Sequence, residues 1–181
     1  SEVIRDVVYL HLINDNISVN ELADIAYISE SNVRKVFKMP ATALGLDFHS
    51  TLNVRDYIKK VDIFEKRKMF VELMVNNLDS NTLNAFRYQD LPLSIRECIS
   101  LEYYANIKNV LNRSRERNNV WFSNYAYINV LLYLLICILN IRNTKTVHID
   151  YNDNYSFVKD EVEFSKDVLK NLVPGFYSQD E

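Results

Sequence analysis

The chain has 181 residues, of which 48% are hydrophobic, and a formal net charge of −3 at pH 7. This length and composition exclude a disordered tail and allow a substantial hydrophobic core. The chain has only two glycines and three prolines. Because these residues favour tight turns, their scarcity predicts few turns and a mainly α-helical fold.

The first predicted element is a helix over residues 2–13. Its apolar residues recur at helical spacing and are Val3, Ile4, Val7, Val8, Leu10 and Leu12. This pattern predicts a helix that packs against the two helices that follow it.

A second helix is predicted to begin after Ser18. Ser18 is followed three residues later by Glu21, which is the spacing of a capping box. One face of this helix then carries small and apolar residues, namely Leu22, Ala23 and Ala26. Small side chains at these positions allow another helix to approach closely.

A third helix is predicted from Glu30 to Met39, with Ser29 as its N-cap. Its inward residues are apolar and are Val33, Val36 and Phe37. The outward residues are of the kinds that read base edges or bind phosphates, namely Glu30, Ser31, Asn32, Arg34, Lys35 and Lys38. This distribution is typical of a recognition helix.

Residues 18–38 thereby resemble the helix-turn-helix of bacterial and phage transcription regulators. The segment ISESNVRKVFK followed by LGLDFHSTLN is similar to the first half of an AraC-type DNA-binding region. TetR-type repressors are the second resemblance, because they have a similar total length and also begin with a helix before the motif. The likeness covers residues 17–65 and implies DNA binding. It departs at the turn, where such motifs usually carry glycine in a left-handed conformation and this chain has Tyr27.

The charges along the chain are unevenly distributed. Residues 1–31 hold one basic and six acidic residues, whereas residues 32–68 hold nine basic and four acidic residues. A local positive surface is what duplex binding needs, even in a protein that is acidic overall. The alternative interpretation of Lys59, Lys60, Lys66, Arg67 and Lys68 is a solvated helix face.

The remaining chain is predicted to form a helical body. One long helix or two are expected over residues 47–78, with breaks after Leu78 and at Asp90, and another helix from Ser94 to about Arg113. Residues 113–119 are charged and predict an exposed loop. Beyond them we expect a central apolar helix to about Ile141, a small β-hairpin near residues 146–158 and a helix over residues 160–172.

The apolar run over residues 128–141 is shorter than the roughly 20 residues that cross a bilayer. It therefore predicts a core helix or a subunit interface, with residues 131–139 as the candidate dimer surface. Cys98 and Cys137 lie among apolar residues and predict free thiols in a reducing cytoplasm. No signal peptide is evident at the first residue of the sequence.

No pattern in the sequence predicts catalysis. His11, His49 and His148 lack the spacing of metal ligands, and Gly45 and Gly175 are too far apart to form a phosphate-binding loop. We therefore expect a protein that is not an enzyme and has neither a cofactor nor a metal.

Together these features predict a DNA-binding head over residues 1–65 and a helical dimerisation or effector body over residues 66–181. The expected protein is a dimeric, site-specific transcription regulator of a phage or mobile element, a repressor rather than an activator. Its expected partners are double-stranded DNA, a second copy and a peptide, small-molecule or protein effector. The alternatives are a helical protein-interaction module, in which the motif is only core packing, and a replication or partition factor.

Overall fold

The computed structural model describes residues 2–143 and 159–172. Within them lie two 3-10 helices, Ala41–Leu44 and Tyr88–Asp90, and ten α-helices. The α-helices are α1 Glu2–Ile13, α2 Val19–Ile25, α3 Glu30–Lys38, α4 Val54–Lys60, α5 Ile63–Val75, α6 Ser80–Asn84, α7 Leu93–Cys98, α8 Leu101–Arg117, α9 Asn124–Asn143 and α10 Lys159–Leu172. The mainly α-helical prediction is confirmed. The predicted hairpin at 146–158 lies outside the described residues.

Short polar side chains mark where the helices begin. Six helices start behind a side chain that accepts a hydrogen bond from a backbone amide of the first turn, and these N-caps are Ser18, Ser29, Asn53, Asp62, Asp79 and Ser100. Each of these bonds satisfies an amide that would otherwise lack a helical partner. The chain therefore obtains its many helix boundaries from side-chain caps and needs little glycine.

Helix α1 lies at the centre of the fold. It packs against three helices of the predicted head, α2, α3 and α4, and against three later helices, α5, α7 and α9. Val7, Val8, Leu10 and Leu12 are almost fully buried in these contacts. The proposed head and body therefore share one continuous hydrophobic core, and the boundary at residue 65 stays a prediction.

Three predicted helix boundaries were wrong. The expected helix from residue 47 begins only at Val54, because side-chain turns organise the preceding loop, where the amide of His49 donates to Asp47 and that of Leu52 to Ser50. The expected helix from Ser94 is split into α7 and α8, with Ser100 as the new cap.

The third boundary error concerns residues 113–119, which were predicted as an exposed loop. Helix α8 continues to Arg117 because its inner face stays buried there, with Ser114 fully enclosed. Arg117 also forms a 3.0 Å ion pair with Asp167 of α10. The charged residues up to Arg117 therefore lie on a helix and not in a loop.

Helix α9 is longer than its most apolar stretch. It has 20 residues, and its best window has a mean hydropathy of 1.7, so by length and composition it could cross a membrane. The prediction that this apolar segment is too short to cross a bilayer was wrong. Half of that window is buried inside the structure, and a single helix of this kind is weak evidence for a membrane because core helices meet the same criteria.

Most of the predicted dimer surface on α9 is buried within one chain. Six aliphatic side chains in residues 131–139 are at most 3% exposed, and they are Leu131, Leu132, Leu135, Ile136, Ile138 and Leu139. They pack against α1, α5 and α8 within one chain. These six side chains belong to the core of one chain, whereas Tyr133 in the same stretch is 36% exposed. The dimer surface on α9 stays a prediction.

The two cysteines are free thiols. Cys137 is buried on α9, and burial raises its pKa to about 11. Cys98 is half-buried, and its thiol donates to the carbonyl of Ser94 at 3.3 Å. Both thiols are therefore weak nucleophiles in the folded chain.

His11 is a buried, uncharged residue at the end of α1. It is 1% exposed, its ring lies 4.8 Å from the ring of Phe37, and neither ring nitrogen has a hydrogen-bond partner. Burial lowers its pKa from 6.5 to about 4; nearby Asp15 opposes the shift, whereas Lys59, Arg55 and Lys66 add to it. The folded protein therefore resists protonation of His11.

This depressed pKa predicts a loss of stability in mild acid. His11 takes up a proton near pH 6.5 in the unfolded chain and only near pH 4 in the folded chain. Because of this difference, the free energy of unfolding should fall by about 2 kcal/mol as the pH is lowered from 7 to 5. The His11→Leu variant should lack this component in urea unfolding at the two pH values. His49 is exposed, and His49→Leu should keep the wild-type acid dependence; an unchanged dependence in His11→Leu would contradict the assignment.

Candidate nucleic-acid interface

The segment α2–turn–α3 is assembled from local hydrogen bonds. The Ser18 hydroxyl accepts from the amide of Glu21 at 3.1 Å, and the Glu21 carboxylate accepts from the amide of Ser18 at 2.9 Å. Hydrogen bonds from the side chain and from the backbone of Ser18 to the Glu21 carboxylate hold the pKa of Glu21 below its usual value. The predicted capping box is confirmed, and so is the Ser29 cap of α3.

The turn between the two helices has a left-handed residue. Tyr27 has φ of +55°, and its side chain is 69% exposed. The amide of Ile28 closes the turn by donating to the carbonyl of Ala23 at 3.0 Å. Tyr27 therefore adopts the conformation that glycine usually supplies at this position of helix-turn-helix motifs.

This turn predicts that glycine is a better residue than tyrosine at position 27. A residue with a Cβ atom pays about 1 kcal/mol or more for a left-handed conformation, so Tyr27→Gly should raise the free energy of unfolding by about 1 kcal/mol. Tyr27→Ala removes the same exposed ring but keeps the Cβ atom, and it should give no gain. Equal stabilities of the two variants in urea unfolding would show that the turn carries no such strain.

Helix α3 has the two faces that the sequence predicted. Val33, Val36 and Phe37 are buried against neighbouring helices. All six residues predicted to contact DNA are exposed, namely Glu30, Ser31, Asn32, Arg34, Lys35 and Lys38. The structure therefore brings these side chains together on one accessible helix surface, which we call the α3 face.

Arg34 is paired with Glu30 on the α3 face. The guanidinium donates to the Glu30 carboxylate at 2.7 Å, and both side chains are about half exposed. An exposed pair one helical turn apart contributes roughly 0.3–0.5 kcal/mol. Arg34 can therefore exchange Glu30 for another partner at little cost, while Glu30 orients the side chain in the free protein.

Arg55, which was not predicted from the sequence as a site residue, lies beside the α3 face. Its guanidinium stacks on the ring of Phe37 at 5.3 Å, and it lines a shallow cavity of about 300 Å³ together with Arg34 and Lys38. Asn53 caps the helix that carries Arg55, and the spacing of Asn53 and Asp56 is the local signal that could have located this helix start.

The alternative interpretation of a solvated helix face was wrong for two basic residues. Lys66 is 8% exposed and forms a 2.7 Å ion pair with Asp15, and Arg67 is 6% exposed and donates to Asn140 at 3.2 Å. Both side chains connect α5 to other parts of the core. Only Lys59, Lys60 and Lys68 of that predicted set are exposed.

The amide of Asn140 is the centre of a buried polar network. Its nitrogen donates to the carbonyls of Leu12 and Ile13 at 3.2 and 2.7 Å, and its oxygen accepts from Arg67. These carbonyls belong to the last turn of α1, where carbonyl groups have no amide donor within the helix. Asn140 thus joins α1, α5 and α9.

No group of three or more metal-ligating side chains occurs among the residues that the structure describes. Comparisons with protein-family models, with curated proteins and with solved structures found no match. The functional interpretation therefore depends on the residues of this chain alone.

Proposed function

We propose that this protein is a sequence-specific DNA-binding transcription regulator that inserts α3 into the major groove. The observation that carries this proposal is the α3 face, where six polar or charged side chains are exposed directly opposite three buried apolar residues. A helix supported in this way by a second helix across a tight turn can enter the groove without unfolding any of the core.

The residue types on the α3 face suggest a division of roles. Asn32 and Arg34 can each form two hydrogen bonds to one base, adenine for the amide and guanine for the guanidinium. Ser31, Lys35 and Lys38 are suited to phosphate contacts, which fix the position of the helix on the duplex. Arg55 extends this basic surface on α4, and Glu30 is assigned to holding Arg34.

A second part of the proposal is that two copies act together. One recognition helix reads only a few base pairs, and pairing two heads is the common route to specific affinity. Repression is favoured over activation because an occupied site can block transcription without a further contact to the transcription machinery. A cytoplasmic setting suits the free thiols of Cys98 and Cys137. A peptide, small molecule or protein could act on the body as effector.

The experiment that tests the proposal is selection of bound fragments from a random duplex library at two salt concentrations. A site-specific regulator should enrich one sequence, with two half-sites at a fixed spacing if it binds as a dimer, and its affinity should fall as salt rises. Failure to enrich any sequence, with weak binding that high salt abolishes, would contradict the proposal and favour protein partners.

A further inference from the structure

A cavity far along the chain from the α3 face has a strongly basic lining. It has a volume of about 530 Å³ and lies among α6, α8 and the beginning of α9. Arg87, Lys108 and Arg115 line it, and the described residues that line it include no aspartate or glutamate. Three cations converging on one concave surface favour an anionic ligand.

The charges of these three cations are not neutralised by the part of the chain that the structure describes, where none of them forms an ion pair within 4 Å. Aromatic rings and a carbonyl hold two of them instead. The guanidinium of Arg115 lies 5.8 Å from the rings of both Trp121 and Tyr127, and the ammonium of Lys108 lies 3.5 Å from the carbonyl of Phe86. Their hydrogen-bonding capacity therefore remains largely available to a ligand.

The other walls of the cavity suit a planar ring. Phe122 and Tyr127 are half-buried aromatic side chains of the lining, and the amides of Asn84 and Asn124 are hydrogen-bonded to each other at 3.2 Å. Aromatic faces stack on heterocycles, and side-chain amides can bond their edges. The volume lies within the range of small-molecule sites, roughly 300–1,000 Å³.

We infer that this cavity binds a nucleotide-like small molecule, in which Arg87, Lys108 and Arg115 contact the phosphates and the aromatic side chains contact the ring. The residues of this site lie on α6, α8, α9 and the α6–α7 and α8–α9 connections, and none belongs to the α3 face. The inference is therefore independent of DNA binding by α3. Loss of the Arg34 and Lys35 side chains should leave nucleotide binding unchanged.

The test is equilibrium dialysis of the full chain against radiolabelled ADP. We expect saturable binding of one ADP per chain and at least tenfold weaker binding of adenosine and of inorganic phosphate in competition, because each supplies only half of the contacts. Trp121 is the only tryptophan and touches Arg115, so its fluorescence should change over the same ADP range.

Two variants test whether ADP binds in this cavity, and a third is the control for loss of one positive charge. Arg87→Gln and Lys108→Gln should each weaken ADP binding at least tenfold, whereas Arg113→Gln, an exposed residue of the same helix as Lys108, should bind ADP as the wild type does. Circular dichroism melting should confirm that all three fold. Absence of saturable ADP binding, wild-type affinity in both cavity variants, or equal competition by inorganic phosphate or by duplex DNA would each overturn the inference.

Discussion

Replacing Arg34 and Lys35 together by alanine should weaken binding to the selected duplex about 100-fold, because the proposed role of Arg34 is one bidentate base contact and that of Lys35 is one phosphate contact. Both side chains are exposed, so the melting temperature should stay within a few degrees of the wild-type value. Fluorescence anisotropy titration with a labelled duplex measures the affinity, and differential scanning calorimetry measures the stability.

A charge-matched control separates a local contact from a general loss of positive charge. Arg113→Ala combined with Lys170→Ala removes the same two charges from exposed positions on α8 and α10. This control should bind the duplex nearly as well as the wild type. If both double variants lose the same affinity, net charge and not the α3 face determines binding.

Asn140→Leu should lower the free energy of unfolding by about 3–5 kcal/mol, which is the largest stability effect that we expect from one substitution. Leucine has a similar size but cannot accept from the buried Arg67 or donate to the carbonyls of Leu12 and Ile13. The change therefore leaves a buried cation and two carbonyls without these partners. Urea unfolding monitored by circular dichroism measures the loss.

Asn143→Leu is the matched control for this substitution. Asn143 lies on the same helix, is exposed and, among the described residues, donates to the carbonyl of Leu139 within that helix. Its replacement should change the free energy of unfolding by less than about 1 kcal/mol. Similar losses in the two variants would indicate that the polar network contributes nothing beyond the helix itself.

The features that the sequence predicted well are those that depend on neighbours in the chain. The Ser18 capping box, the Ser29 cap and the inward residues of α3 each depend on spacings of three or four residues. The left-handed conformation of Tyr27 could also be expected from its place in the motif, although tyrosine itself gives no such signal.

The features that the sequence could not predict depend on distant partners. Lys66 donates a hydrogen bond to Asp15, which is 51 residues away in the sequence, and Arg67 donates one to Asn140, which is 73 residues away. In a single sequence these cations look the same as solvated ones, since burial is decided by helices that pack together only in three dimensions. The same reasoning applies to the basic cavity, whose cations come from residues 87, 108 and 115.

One error in the candidate site came from competition between local structures. The apolar spacing from Phe48 onward matches a helix, but Asp47 and Ser50 accept hydrogen bonds from nearby amides and stabilise a loop instead. Because α4 begins at Val54, Arg55 lies near the N-terminus of this helix, beside Phe37. A residue predicted to lie within a long helix thus joined the basic surface next to α3.

The measurement that tests most directly whether α3 reads DNA is the base-pair preference profile of three proteins: the wild type, Arg34→Ala and Lys35→Ala. If α3 lies in the major groove, Arg34→Ala should lose preference at one or two base pairs and keep the rest of the profile. Lys35→Ala should keep the whole profile, bind all sequences more weakly and lower the salt dependence by about one phosphate contact. Profiles and salt dependence that match the wild type in both variants would contradict recognition by this helix.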